Sequence, residues 1–255
     1  MSYKVLEVAD KRLFKQFIEF PYKLYKKSKY WTPPLFIQER DFYKPEKNKF
    51  FEHSIVKLFL CFKDCKLVGR ISANINHNYN SFHNEKIGFW GSFETINDSE
   101  VVGALFNAIT GFFKEQGVSV IRGPFTFSTN EICGLLVDKF DMPPLIMMPY
   151  NFEYYEKLLI DDGHRKIKDL LAYYLRYEDY KTILAVDLTK FKERYNLQAR
   201  TINYRNFDEE IELLADIYNN AWERNWGFVP MTKVEFYQMG KELKTFVPAE
   251  SVIIA

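Results

Sequence analysis

The chain is short of cysteine and short of net charge. Among 255 residues there are three Cys, and 35 Lys and Arg stand against 34 Asp and Glu, a net charge of +1. Three thiols exclude a disulfide framework. Cys61 and Cys65 lie four apart at a predicted hairpin turn and Cys133 is distant, so no second pair and no nearby His completes a zinc set. No metal is expected, and a reducing cytoplasm is the expected location. A neutral overall balance gives no electrostatic footprint for nucleic acid or for an anionic membrane. No apolar run reaches the ~18 residues of a membrane span, and the opening MSYKVLEVADKRLF has no apolar stretch like that of a signal peptide. A Ser-His-Asp order, a P-loop and a dinucleotide glycine fingerprint are all missing. What the chain does have is apolar content (47%) and aromatics (18%), enough for a sizeable core. Packing is the plain reading of the aromatic excess, and a greasy groove or a protein interface is the other.

The most informative stretch runs from Lys86 to Asp141. Lys86 to Ile96 has strand composition, interrupted by Gly88 and Gly91, which point to a bulge or a close approach. Asn97 precedes Glu100 by three, a capping-box spacing. Val101, Ala104, Leu105, Ala108, Ile109, Phe112 and Phe113 then line one face of a helix, and Gly117 closes it. Ser119 to Arg122 is a short strand. The loop after it, GPFTFSTNEICGLL, is too polar for a core element.

Along the rest of the chain, Tyr3 to Val8 reads as a strand, and Asp10 caps a helix that Pro21 interrupts. Lys23, Lys26, Lys27 and Lys29 form a basic cluster whose plain reading is a solvated helix face and whose alternative is a phosphate site. Ile55 to Phe62 and Leu67 to Asn76 are paired strands. Asn76 to Lys86 reads as a polar loop with His77 and His83 at the surface. Asn151 opens a helix stopped at Gly163, and Asp169 to Tyr177 reads as a further strand. Residues 178–197 read as a connector holding an apolar run, Ile183 to Val186. A second unit begins at 198: Ala199 to Asn203 is strand-like, and Asn206 with Glu209 repeats the capping-box spacing. An amphipathic helix follows, then the turn Asn225 to Pro230, a helix from Thr232 to Phe246, and an apolar strand from Ser251. Strand, helix, aromatic-proline turn and helix thus occur in 3–50 and again in 199–250. The expected division is a first domain at 1–177 and the N-terminal part of a second, apparently truncated, at 198–255. An unfinished sheet edge at 251–255 makes a homodimer possible.

The order of elements, with Pro21-Tyr-Lys-Leu-Tyr25, Trp31-Thr-Pro-Pro-Leu35, Val68-Gly-Arg-Ile71, Gly88 to Glu94, Arg122 to Asn130 and Tyr150 to Tyr155, resembles the GNAT superfamily of acyl-CoA-dependent N-acyltransferases. It resembles in particular a group of bacterial tandem GNAT-like proteins. The resemblance implies an α+β fold with a mixed central sheet flanked by helices. It also implies acetyl-CoA or a longer acyl-CoA as co-substrate, and a small-molecule or lipid-like amine as acceptor. A base is needed to take the ammonium proton and a donor for the leaving thiolate. Glu94, at the end of the central strand, is the candidate base; its alternative is a carboxylate bonded to backbone or to Arg122. Tyr150 and Tyr155, with Tyr154 between them, are candidate donors, with core packing as their alternative. Ser128, Thr129, Asn130 and Asp138 are candidates to line the acceptor pocket; turn-forming hydrogen bonds are the alternative for the first three. The superfamily's pyrophosphate loop falls here on Thr95-Ile-Asn-Asp-Ser-Glu100, which has no glycine and two carboxylates, so no cofactor-binding residue is assigned. Two readings stay open: an N-acyltransferase, or a non-catalytic GNAT-like binding or dimerisation module that has lost coenzyme A binding.

Overall fold

The structure, a computed structural model, describes residues 2–176, 178–179 and 189–255. It divides into two units, Met1–Lys166 with Glu223–Pro230, and Ile167–Trp222 with Met231–Ala255. Residues 180–188 of the expected connector, including Ile183 to Val186, lie outside the described residues.

The first unit is built on a five-stranded sheet in sequence order: β1 (Tyr3–Glu7), β2 (Ser54–Lys63), β3 (Lys66–Asn76), β4 (Ile87–Thr95) and β5 (Val120–Arg122). The first four strands are antiparallel neighbours; β5 runs parallel to β4. The mixed α+β sheet flanked by helices is the one the resemblance implied. Alternation along β3 separates the two faces. Ile71, Ala73 and Ile75 point into a core with α4 (Ser99–Glu115), whose Val101, Leu105, Ile109 and Phe113 are fully buried. Arg70, Ser72, Asn74 and Asn76 alternate with them and are also buried, but a period of two puts them on the opposite face. That face is covered by α1 (Lys11–Leu24), α2 (Phe36–Phe42) and the 125–127 loop. Leu13, Phe17 and Ile18 pack there with Tyr43, Leu60 and Phe127.

Several expectations change. Helix α1 continues through Pro21, and Tyr25 N–H still donates to the Pro21 carbonyl at 2.9 Å. Residues 77–83 form a helix, α3 (His77–His83), because Asn76 caps it at Tyr79 N–H. His83 Nε2–H donates to the Phe228 carbonyl at 2.7 Å. The cap of α4 is Asp98, not Asn97, and its carboxylate accepts from Glu100 N–H. Residues 169–176 form no strand. They have β composition but no ladder partner among the described residues, and Tyr173 is 82% exposed. α5 (Tyr154–Asp161) ends before Gly163, as expected, but begins three residues after Asn151, whose side chain bonds the Leu136 backbone instead of opening the helix.

In the second unit, Arg200–Thr201 pairs antiparallel with Ile253–Ile254. The Phe207–Trp222 helix packs on Lys233–Lys244 through Phe207, Ile211, Ala215 and Phe236. A 3-10 turn, Tyr204–Asn206, leads into the first of these helices. The capping box belongs to the second, formed by Thr232 and Glu235.

Candidate active site

The position of Glu94 is made by a bulge. On β3 the step from Arg70 to Ser72 is two residues; on β4 the matching step, Glu94 to Gly91, is three. Ser92, at φ +46°, absorbs the extra residue. A regular strand would put Glu94 on the same face as Trp90, in the α4 core. One inserted residue reverses the parity beyond it. Trp90 and Phe93 therefore both face α4, and Glu94 turns toward α1. Gly91 fits for a different reason: the Phe125 carbonyl crosses it so closely that a Cβ would lie 2.1 Å from the oxygen.

Half-buried Glu94 meets two tyrosine hydroxyls. Tyr25 donates to Oε2 at 2.5 Å and Tyr155 to the same oxygen at 2.8 Å. Tyr155 also accepts from Thr95 N–H at 2.9 Å, so its hydroxyl is committed on both sides, and the residue is fully buried. Arg70 pairs across the ladder from Glu94. Its Nη1 donates to the Phe17 carbonyl at 2.9 Å, and its Nη2 lies 3.8 Å from Glu39. That carbonyl is the one Pro21, lacking an N–H, leaves unpaired four residues on. A buried arginine thus satisfies α1 where the proline cannot, which is why the helix runs on. Burial pushes the Glu94 carboxyl up to about 7; the Arg70 charge and the two tyrosine hydrogen bonds only partly offset it. Burial likewise raises Glu39, against the pull of Arg70, and holds the Tyr25 and Tyr155 hydroxyls well above the usual phenol range. The result is a carboxylate poised near neutrality and fixed by two hydroxyls that stay protonated.

Around it stands an aromatic rim. Tyr150 is half-buried, edge-on to Tyr25, with its hydroxyl bonded to Ser28 Oγ. Trp31 and Phe152 lie against the Tyr25 ring at 5.2 and 4.8 Å. Tyr154 turns away and donates to the Thr95 carbonyl. The Arg122 alternative for Glu94 does not hold, since that guanidinium is engaged by Glu85 and Tyr79. Sequence reasoning gave no role to Tyr25, Arg70, Glu39 or Ser28. The first two lie inside the motifs that carried the resemblance, and the ladder pairing of Arg70 with Glu94 was the missing signal.

The polar loop serves the chain itself. Ser128 Oγ accepts from Asn130 N–H at 3.1 Å, a serine turn. Thr129 donates to the Gly227 carbonyl at 2.7 Å and Asn130 to the Val229 carbonyl at 3.4 Å, tying down residues 223–230. Asp138 is exposed, and its carboxylate accepts from Lys139 N–H. None of these hydrogen bonds reaches Glu94.

The 95–100 loop does not fit a pyrophosphate. Asp98 caps the N-terminus of α4 with its own carboxylate, which also takes Lys63 Nζ at 2.6 Å and the Tyr3 hydroxyl at 3.0 Å. Burial raises its pKa, but these hydrogen bonds outweigh that and hold it below the usual carboxylate range. The anion that a helix N-terminus would attract is already built in. Among the described residues no cluster suited to a metal ion occurs, and no helix is long and apolar enough to cross a membrane.

No protein-family model matches the chain. It is 37% identical over 246 residues to Protein YghO of Escherichia coli K12, across 96% of this chain and 63% of that protein. It is 32% identical over 246 residues to a Caulobacter vibrioides protein named bacterial ceramide synthase, across 95% of this chain and 64% of that one. The chain therefore spans somewhat under two thirds of the length of these two relatives. Solved structures give remoter likenesses. One is an aminoglycoside acetyltransferase from a soil metagenomic sample (13% identity, TM-score 0.42, 68% of this chain and 95% of that one). Another is a candidate acetyltransferase from Pyrococcus furiosus (11%, TM-score 0.40, 69% and 100%).

Proposed function

We propose that this GNAT-like chain is an N-acyltransferase that moves an acyl group from an acyl-CoA to a lipid-like amine, with Glu94 as general base. The observation that carries the reading is the Glu94 carboxyl: half-buried, raised to about 7, and pinned by Tyr25 and Tyr155 beside an aromatic rim. An amine arrives as an ammonium and cannot attack until it is deprotonated. A carboxylate with a pKa near working pH takes that proton with useful driving force and is present in its basic form. The co-substrate supplies the activated acyl carbonyl. Its pyrophosphate is held away from residues 95–100, where Asp98 would repel it. Tyr155, closed in on both sides, positions Glu94. Tyr150, at the rim, is half-buried where Tyr155 is fully buried, and is the better candidate of the two to give a proton outward. A lipid-like acceptor is supported by the name of the Caulobacter relative and by the apolar rim. The order strand, helix, turn, helix and strand over 200–254 supports reading that region as the opening of a second copy of the first fold.

The test is acyl transfer by the full chain from a series of acyl-CoAs to long-chain amines, followed as free thiol and as N-acyl product. Glu94→Gln should lower kcat/KM by roughly 10²–10⁴-fold. An unchanged rate in that variant sinks the assignment. The binding-module reading is favoured by one observation, the self-capped α4. It gains the field if native mass spectrometry finds no acyl-CoA on the protein at any ratio.

A further inference from the structure

We infer that the rim beside Glu94 docks on an anionic lipid bilayer, with two apolar loops entering the interface and a set of lysines meeting the headgroups. The first loop follows α1. Leu35 at its end and Ile37 in the first turn of α2 are 68% and 66% exposed, although Tyr22 holds this corner in place: its hydroxyl donates to the Pro34 carbonyl at 2.9 Å and its ring lies 5.7 Å from Phe36. The second loop carries Leu145, Ile146 and Met147, of which Ile146 is 93% exposed. It leads directly into Tyr150, whose hydroxyl bonds Ser28 beside the same rim. A water-facing surface seldom presents two such runs, and apolar exposure of this kind marks an interaction site.

The charge next to these loops decides which partner fits. Lys23 in the last turn of α1 and Lys26, Lys27 and Lys29 just after it precede the first loop in sequence and are exposed. Lys23 is paired with Glu19, whereas Lys26 and Lys27 have no ion pair among the described residues. Exposed apolar side chains beside a cluster of lysines, two of them without an ion pair among the described residues, match an interface whose interior is hydrocarbon and whose surface is negative. A second copy of this chain would bring the same lysines against themselves. The docking stands apart from the transfer reaction: binding is read on vesicles, and catalysis on product, so either can fail alone.

The experiment is co-sedimentation of the full chain with vesicles of phosphatidylcholine alone and of phosphatidylcholine with phosphatidylglycerol, at low and high salt. Binding to the mixed vesicles, weakened by salt, is expected. Lys26→Gln with Lys27→Gln should lower the partition coefficient by roughly fivefold per lysine. Ile146→Glu and Ile37→Glu should lower it by about tenfold at either salt concentration. Both positions are exposed, so circular dichroism and thermal midpoint should match the parent. Recovery in the supernatant with both vesicle types overturns the proposal, as does undiminished binding of the glutamate variants. So does a concentration-dependent dimer that those variants abolish, which would give the surface to a second copy.

Discussion

Glu94 holds its proton more tightly folded than unfolded, because burial raises its carboxyl to about 7. Between the ordinary carboxylate range and pH 7 the native state binds more protons than the unfolded state, so stability falls as pH rises through that window and stays lower above it. Glu94→Gln keeps the shape and removes the charge. The variant should be more stable than the parent at pH 8 by about 1–3 kcal/mol, toward the low end because the half-buried side chain keeps some water. The difference should shrink toward pH 4. Urea midpoints across that range measure it, and parallel pH profiles for the two proteins would mean the group does not titrate there. Tyr25→Phe removes a hydrogen bond that lowers this pKa. It should move the acidic, rising limb of the kcat/KM profile to higher pH while leaving its plateau within a few-fold, the signature of positioning.

At the scale of elements, the decisive part is the β4 bulge and what crosses it. Gly91 lies under backbone, with the Phe125 oxygen and carbon 2.1 and 2.4 Å from where a Cβ would stand. Backbone cannot swing aside as a flexible side chain would, and Phe125 N–H is itself bonded to the Trp90 carbonyl at 2.7 Å. Gly91→Ala should therefore cost more than about 3 kcal/mol, the scale of severe core overpacking. A midpoint within experimental error of the parent would show that the 125–127 crossing is not a rigid part of the fold. Helix α4 is closed at its N-terminus by Asp98, and that closure, more than the missing glycines, removes the anion site from the first unit.

For the whole molecule, the first unit is not continuous in sequence. Residues 223–230 belong to it, with Phe228 and Val229 buried and Thr129, Asn130 and His83 bonding their carbonyls. A chain cut to residues 1–176 leaves those donors without their acceptors and uncovers the apolar seat of Val229 on Phe89 and Phe125. It should melt below the full chain, and a synthetic peptide of residues 222–231 should raise its midpoint in a saturable way. Equal midpoints with and without the peptide would show that the segment adds nothing to the first unit.

The sequence by itself determined the local elements. Strand composition in β2 and β3 with the hairpin between them, period 3.6 in α4 and the glycine after α4 are all short-range signals, and each corresponds to a described element. It determined less where a neighbour distant in sequence has the last word. Pro21 was predicted to break α1, but Arg70, which is 49 residues away, takes the freed Phe17 carbonyl. Residues 169–176 have the composition of a strand and no ladder to join. Asn76 capped a helix where a polar loop was expected. Glu94 could be singled out from its place at a strand end. Its direction, its two tyrosine partners and its raised pKa came from one extra residue in β4 and from burial against α1 and α5. Hydrogen-bond geometry and desolvation belong to the assembled fold, and no window of sequence contains them.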